Sequence, residues 1–298
     1  MSEILAQKKA QCETCGGLDY TIYADGEYAR VKPCEDCLTE CDTCDDSGMQ
    51  YARDKMGYTF AKRCECQEPA VRLETYNRVQ LPARYGNKTL ENFEEKDGQG
   101  VALKYELLKL RQDFKPGDRG LVLWGPPGTG KTHLMTSFLS YLTLERGIPS
   151  RFVDFGDLTT RIKKGYDKGM SENEIIDDLV RVPVLCIDEL GKGRGSEWEI
   201  SVLDALVNRR YNADRSTFFT TNFPLSVAEG GPDPDQQARG KRTMRNPFNP
   251  KEVEVLRQGI SLPTLEERVG SRIYSRLIEM CELRQLDGND YRRETKRP

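Results

Sequence analysis

GPPGTGKTHL, residues 125–134, governs how the rest of the chain is read. It follows GLVLW (120–124), a short apolar run of buried-strand type, and precedes a helical stretch over 133–146. Strand, glycine-rich loop and helix in that order form a phosphate-binding loop. The glycines let backbone N–H groups turn inward around phosphate oxygens, and the helix N-terminus adds positive potential. Gly125, Pro126, Pro127, Gly128, Thr129, Gly130, Lys131, Thr132 and His133 are therefore the expected ATP contacts. Lys131 should reach the β and γ oxygens, and the Thr132 hydroxyl should bind Mg²⁺.

VPVLCIDEL (182–190) supplies the complement. An apolar strand there delivers Asp188 and Glu189 at its C-terminal end, where ligands gather in open parallel sheets. Asp188 is the expected second Mg²⁺ holder, through water, and Glu189 the group that polarises an attacking water. A carboxylate in that role points to hydrolysis, not to transfer onto a second metabolite. SEWEISVLDALVNRRY (196–211) has helical spacing at Trp198, Val202, Ala205 and Leu206. STFFTTNFP (216–224) reads as a strand ending in Asn222, whose amide either holds the attacking water or γ-phosphate, or only forms a turn before Pro224. In 265–293, helical periodicity puts Val269, Ile273, Leu277 and Met280 on one face and Arg268, Arg272 and Arg276 on another. Such a ladder is either a solvated stripe or a source of an arginine for a neighbour's γ-phosphate.

Eight of the ten cysteines lie between residues 12 and 66. The pattern is Cys12-x2-Cys15, Cys34-x2-Cys37, Cys41-x2-Cys44 and Cys64-x-Cys66. The gaps of 18 and 19 residues inside each half suit a short β-hairpin carrying two ligand-bearing turns. EYARVKPCE (27–35) aligns without a gap on GYTFAKRCE (57–65), so the unit is duplicated. With no export signal, the cluster points to metal rather than to disulfides. Two structural zinc ions per chain are expected, each closed by four thiolates. The expected pairing is sequential: Cys12, Cys15, Cys34 and Cys37, then Cys41, Cys44, Cys64 and Cys66. Interleaved pairing and an iron–sulfur cluster are the alternatives.

A net charge of −3 does not by itself announce a nucleic-acid binder. Its distribution is uneven: residues 1–66 hold thirteen acidic against eight basic residues, whereas 238–258 hold six basic against two acidic. The acidic module favours a protein partner; the basic stretch is either a DNA contact, with Phe248 as a stacking face, or a solvated loop. No apolar run is long enough to span a bilayer, and MSEILAQKKAQ lacks a secretory core, so a cytoplasmic location is expected. The expected organisation is a zinc module over 1–66, a polar linker over 67–92 and an ATPase domain over 93–298. Within the last, 225–262 reads as a long Pro- and Gly-rich insertion.

The loop GPPGTGKTHL, the LCIDELG strand, FTTNFP, and RIYSRLIEMC followed by DYR resemble the DnaC/DnaI-type replicative helicase loaders, AAA+ ATPases related to the IstB-type ATPases of transposition. The resemblance covers about residues 81–293. It implies an α/β fold, a parallel sheet sandwiched by helices with a small helical lid, behind the zinc-hairpin domain. It implies that LPARYGNKTLENF lies beside the adenine, that Asn222 reads the γ-phosphate, and that Arg276, helped by Arg272, is given to the next subunit. Arg292 is implied as a second sensor within the chain. The implied function is ATP-dependent loading of a hexameric helicase onto single-stranded DNA, with self-assembly and with hydrolysis as the release switch. An ATPase partner of a transposase, and a zinc-dependent adaptor or chaperone using ATP only as a switch, are the competing readings.

Overall fold

A computed structural model describes residues 12–38, 40–94, 98–193, 195–225, 263–288 and 290–291. The 226–262 part of the expected insertion, with its basic stretch, lies outside the described residues, as does Arg292.

Five parallel strands form the main sheet: β5 (Gly120–Trp124), β6 (Ser150–Asp154), β7 (Val184–Asp188), β8 (Ser216–Thr221) and β9 (Cys281–Gln285), in the order β6-β7-β8-β5-β9. The strand before the phosphate loop is thus flanked by two strands that come far later in the chain. Their period-two pattern divides the sheet's side chains between two cores. Leu121, Leu123, Phe152, Val184, Cys186 and Phe218 join one cluster; Val122, Val153, Leu185, Ile187 and Phe219 join the other. Both faces are covered, which is why these strands read as continuous apolar runs.

Helices α1 (Glu68–Val79), α2 (Gly98–Asp113) and α3 (Lys131–Leu144) cover the first face. Helices α4 (Phe155–Tyr166), α5 (Glu172–Arg181), α6 (Glu197–Asn212), α7 (Leu265–Val269) and α8 (Ser271–Met280) cover the second. Their starts are written locally. Ser171 with Glu174, Ser196 with Glu199, and Thr264 with Glu267 form reciprocal capping boxes at α5, α6 and α7.

Two features differ from the sequence expectation. The stretch read as a linker over 67–92 contains α1, whose narrow stripe of Leu73, Tyr76 and Val79 is buried in the same cluster as α3. Glutamates and arginines on its other faces made it look polar. Likewise the single helical reading of 265–293 breaks at Gly270, which takes φ +85°, and ends in strand β9.

The cysteine unit forms two antiparallel hairpins, β1 (Tyr20–Asp25) with β2 (Tyr28–Pro33), and β3 (Met49–Arg53) with β4 (Thr59–Arg63). The first is built into the core on the first face of the main sheet. Ala29 and Val31 are buried there, and Asn77 of α1 pairs with both the N–H and the C=O of Val31, at 2.8 and 3.0 Å. Ala29 N–H donates to Leu81 O at 2.8 Å, and Ala83 N–H to Glu27 O at 2.8 Å. By contrast, nearly every residue of β3 and β4 is exposed or half-exposed. A hairpin read as part of a separate module therefore shares a core with the nucleotide-loop helix.

Candidate nucleotide site and thiol tetrads

The loop from Gly125 to Gly130 leaves β5 and opens into α3 at the C-terminal end of the sheet. Lys131 is buried, and its Nζ donates to Gly125 O at 2.8 Å and Pro126 O at 2.6 Å. Thr129 Oγ1 donates to Pro126 O at 3.0 Å, which closes the turn. The ammonium therefore sits inside the ring of loop backbone. Two glycines are imposed by close approach as well as by positive φ. A Cβ on Gly130 would lie 2.5 Å from the Phe93 ring, and one on Gly128 would lie 1.9 Å from Asp290 Oδ1. The chain near residue 290 indeed crosses the loop, since Tyr291 N–H donates to Gly128 O at 3.2 Å.

β7 delivers Asp188 opposite the start of α3. Thr132 Oγ1 lies 3.1 and 3.2 Å from the two Asp188 carboxylate oxygens. Thr220 of neighbouring β8 also donates to Asp188 Oδ1, and its own Oγ1 accepts from Glu189 N–H at 3.1 Å. Burial pushes the Asp188 carboxyl up to about 6, with the Glu189 and Asp154 charges adding and the Thr220 and Thr132 hydroxyls opposing. Glu189 stands at φ +55°, and its carboxylate is paired with Lys192. Asp154, at the end of β6, caps α4 through Asp157 N–H at 3.1 Å, and burial raises its carboxyl as well. Three carboxylates thus converge at the ends of adjacent strands, with a buried lysine and a helix N-terminus facing them.

Asn222 is exposed immediately beyond β8, at the same end of the sheet. His133 does not turn to the loop. Its Nε2 lies 3.0 Å from Thr89 O and its ring meets Phe93 edge-on at 5.2 Å, so it ties the 89–93 segment to α3. Burial lowers its pKa, which favours the neutral ring. The arginine ladder splits. Arg268 donates to Gly191 O at 3.0 and 2.9 Å, and also to Gly193 O, bracing the loop after Glu189. Arg272 and Arg276 both bind Asp204 of α6, with Nε and Nη1 respectively at 3.2 Å from its Oδ1. Arg272 is 73% exposed and Arg276 24%.

Thr220, Lys192 and Asp204 carry no signal in the linear sequence; Thr220 sits two residues before Asn222 and acquires meaning only when β8 pairs with β7. Phe93 ends the stretch LPARYGNKTLENF, but its close approach to Gly130 is purely tertiary.

The eight N-terminal cysteines gather sequentially. Cys12, Cys15, Cys34 and Cys37 form one tetrad, and Cys41, Cys44, Cys64 and Cys66 the other, with all thiol sulfurs of a tetrad within 4.8 Å of one another. The sulfur separations of 3.8 and 3.5 Å in the first, and 3.9 and 3.5 Å in the second, suit one tetrahedral ion. Four Zn–S bonds of about 2.3 Å would place sulfurs about 3.8 Å apart. The Thr43 backbone N–H is the main group lowering the Cys41 thiol to about 7. Cys186 and Cys281, by contrast, are buried in the sheet and their thiols are raised by burial.

Residues 66–229 match the family described as IstB-like ATP binding protein. The replicative helicase loader DnaC of Escherichia coli strain K12 is 31% identical over 164 residues, covering 53% of this chain and 65% of that protein. The DnaC loader of Buchnera aphidicola from Acyrthosiphon pisum is 31% identical over 142 residues, 47% of this chain and 57% of the relative. The crystal structure of the DnaC helicase loader aligns with a TM-score of 0.52 at 27% identity, over 68% of this chain and 98% of that one. The chain therefore spans about 65% of the length of the first of these curated relatives. Among the described residues no helix is long and apolar enough to cross a membrane.

Proposed function

From the premise that the chain belongs to the IstB-like ATP-binding family, we propose that it loads a replicative DNA helicase onto single-stranded DNA and hydrolyses ATP to ADP and phosphate as the release switch. The observation that carries this reading is the meeting of Lys131 and Thr132 with Asp188, Glu189 and Thr220 at one end of the sheet, in a chain similar to DnaC loaders.

In this reading the loop amides and Lys131 take the triphosphate, exchanging carbonyl contacts of the ammonium for phosphate oxygens. The Thr132 hydroxyl and the Asp188 carboxylate form a hard-oxygen pair suited to Mg²⁺, which when bound would neutralise charge on the β and γ oxygens. Glu189, released from Lys192, polarises the attacking water, and Asn222 orients it. Arg276 serves the γ-phosphate of a neighbouring subunit, with Arg272 beside it, and Arg292 the nucleotide of its own chain. Leaving Asp204 is then the step by which assembly recruits the arginines. The two tetrads hold one zinc ion each and stiffen the hairpins, because four thiolates close the coordination sphere and leave no place for substrate.

The test is hydrolysis and loading measured together. Glu189→Gln should bind ATP and a cognate replicative helicase but release phosphate at least about a hundredfold more slowly, within the usual range for removing a general base. Transfer of that helicase to circular single-stranded DNA should require the wild-type chain and ATP. Normal hydrolysis without transfer, but with stimulation by a transposase, would replace the loader reading with a transposition partner.

A further inference from the structure

Duplication has left two hairpins with the same metal-binding ends and opposite surroundings. In the first, one face (Tyr20, Ile22, Ala29, Val31) lies against the ATPase core. Counting from the aligned cysteines, the second hairpin carries Met49, Tyr51, Thr59 and Ala61 at those positions, and that face is open. Tyr51 is 82% exposed, Tyr58 70% and Phe60 48%. Three aromatic rings left this exposed on one short hairpin mark it as a surface for interaction.

The register shows what surrounds the rings. Tyr51 is directly opposite Ala61, and Phe60 directly opposite Ala52. Residues opposite one another share a face, so each ring has only a methyl group across from it. Arg53 and Arg63 flank Tyr51 on its face, and Lys62 follows Phe60 on the other. Segment 49–63 contains Arg53, Lys55, Lys62 and Arg63 against one acid, Asp54. That acid is used internally: its Oδ1 accepts from Met56 N–H at 2.8 Å and Tyr58 N–H at 2.9 Å, shaping the turn. The matching segment 20–33 of the first hairpin has two acids and two bases. The acidic balance of the N-terminal region therefore resides outside both hairpins, chiefly beside the cysteine knuckles.

We propose that the second hairpin, Met49–Arg63, binds single-stranded nucleic acid that passes round it, with bases stacking on Tyr51 on one face and on Phe60, with Tyr58 nearby, on the other, and phosphates taken by Arg53, Lys55, Lys62 and Arg63. Uncovered rings interleaved with cations suit a strand that offers π-faces and negative charge in alternation. Beside its four cations the segment offers only the Ala52 and Ala61 methyls and two methionines as further apolar surface, a balance that suits a phosphodiester strand. The inference rests on the loader reading only for the identity of the strand, single-stranded DNA. It concerns a surface that hydrolysis does not need.

The experiment uses the full chain, purified with its metal, and a fluorescein-labelled oligo-dT 20-mer read by anisotropy without nucleotide. Tyr51→Ala with Phe60→Ala should weaken binding by about tenfold or more, since each base–aromatic stack is worth roughly 1–3 kcal/mol. Arg53→Ala with Lys62→Ala should flatten the salt dependence by about 0.7 for each cation removed. Tyr51→Phe with Phe60→Tyr should bind like wild type. Metal content and DNA-independent ATP hydrolysis should not change in any variant, which separates this result from failure of the ATPase reading. Unchanged affinity and salt slope would overturn the proposal. So would a Tyr51→Ala, Phe60→Ala chain that keeps DNA binding but no longer cosediments with a replicative helicase, because the surface would then be a protein dock.

Discussion

Asp188 is a carboxylate that the folded protein holds at a cost, and the cost can be measured. It is 5% exposed, and burial raises its pKa from 3.8 to about 6. Between those two values the folded chain binds more protons than the unfolded chain, so stability falls as pH rises through the window. Above pH 6 the whole penalty is present, and a shift of about two units corresponds to about 3 kcal/mol. Asp188→Asn removes the ionisation but keeps an acceptor for Thr132 or Thr220, whose hydroxyls can turn to accept from the new amide. With nucleotide absent and a chelator holding free Mg²⁺ away, the variant should be more stable than wild type by about 3 kcal/mol at pH 8. The gap should close toward pH 4. Asp154 is also raised by burial, but it titrates in both chains and contributes far less to their difference. Urea unfolding followed by Trp124 and Trp198 fluorescence across pH 4–8 gives both curves. A variant that is no more stable at pH 8, or a gap indifferent to pH, would refute the reasoning. The same substitution should abolish ATP hydrolysis, so stability and activity move in opposite directions.

Mixing Arg276→Ala chains with Lys131→Ala chains should restore hydrolysis above either parent, because each spoils a different side of a subunit boundary; an arginine supplied in trans is worth roughly 10³–10⁵ in rate. Wild-type turnover by Arg276→Ala under assembling conditions would dismiss the assignment. Elemental analysis should find two zinc ions per chain. Cys34→Ser should then loosen the ATPase domain in limited proteolysis, whereas Cys64→Ser should expose only its own hairpin. Arg210 is fully buried and donates to Leu179, Val182 and Ser216 carbonyls at 2.5, 2.9 and 2.7 Å. Arg210→Ala leaves those acceptors unpaired and a cavity behind, so unfolding should become easier by roughly 3 kcal/mol or more; a wild-type urea midpoint would count against that account.

The legible parts of this protein are those whose chemistry demands neighbouring residues. A phosphate cradle needs consecutive backbone amides, and a four-thiolate metal site needs paired knuckles, so 125–132 and the cysteine spacing announced themselves. The α/β class followed from the apolar runs around them. Asp204 was unreadable because its partners Arg272 and Arg276 come from another helix, and Thr220 because its role depends on β8 lying beside β7. Helix α1 was hidden by its charged faces, which are where a helix resting on a core meets water. Strand β9 was hidden because CELRQ continues the helical spacing of SRIYSRLIEM until the sheet captures it.

The position of β5 in the sheet also sets a schedule for synthesis. Its neighbours are β8 and β9, beginning at Ser216 and Cys281, while β5 itself ends at Trp124. At roughly 5–20 residues per second, the phosphate-loop strand waits on the order of 5–20 s for its first partner and 8–30 s for its second. Until β8 is made GLVLW is an apolar strand with two bare edges, and until β9 is made it keeps one, the form of chain that chaperones bind and that aggregates when they are scarce. The two hairpins face no such delay, since each closes on itself within a few tens of residues. A nascent chain would therefore assemble its two thiol tetrads long before it could grip a nucleotide.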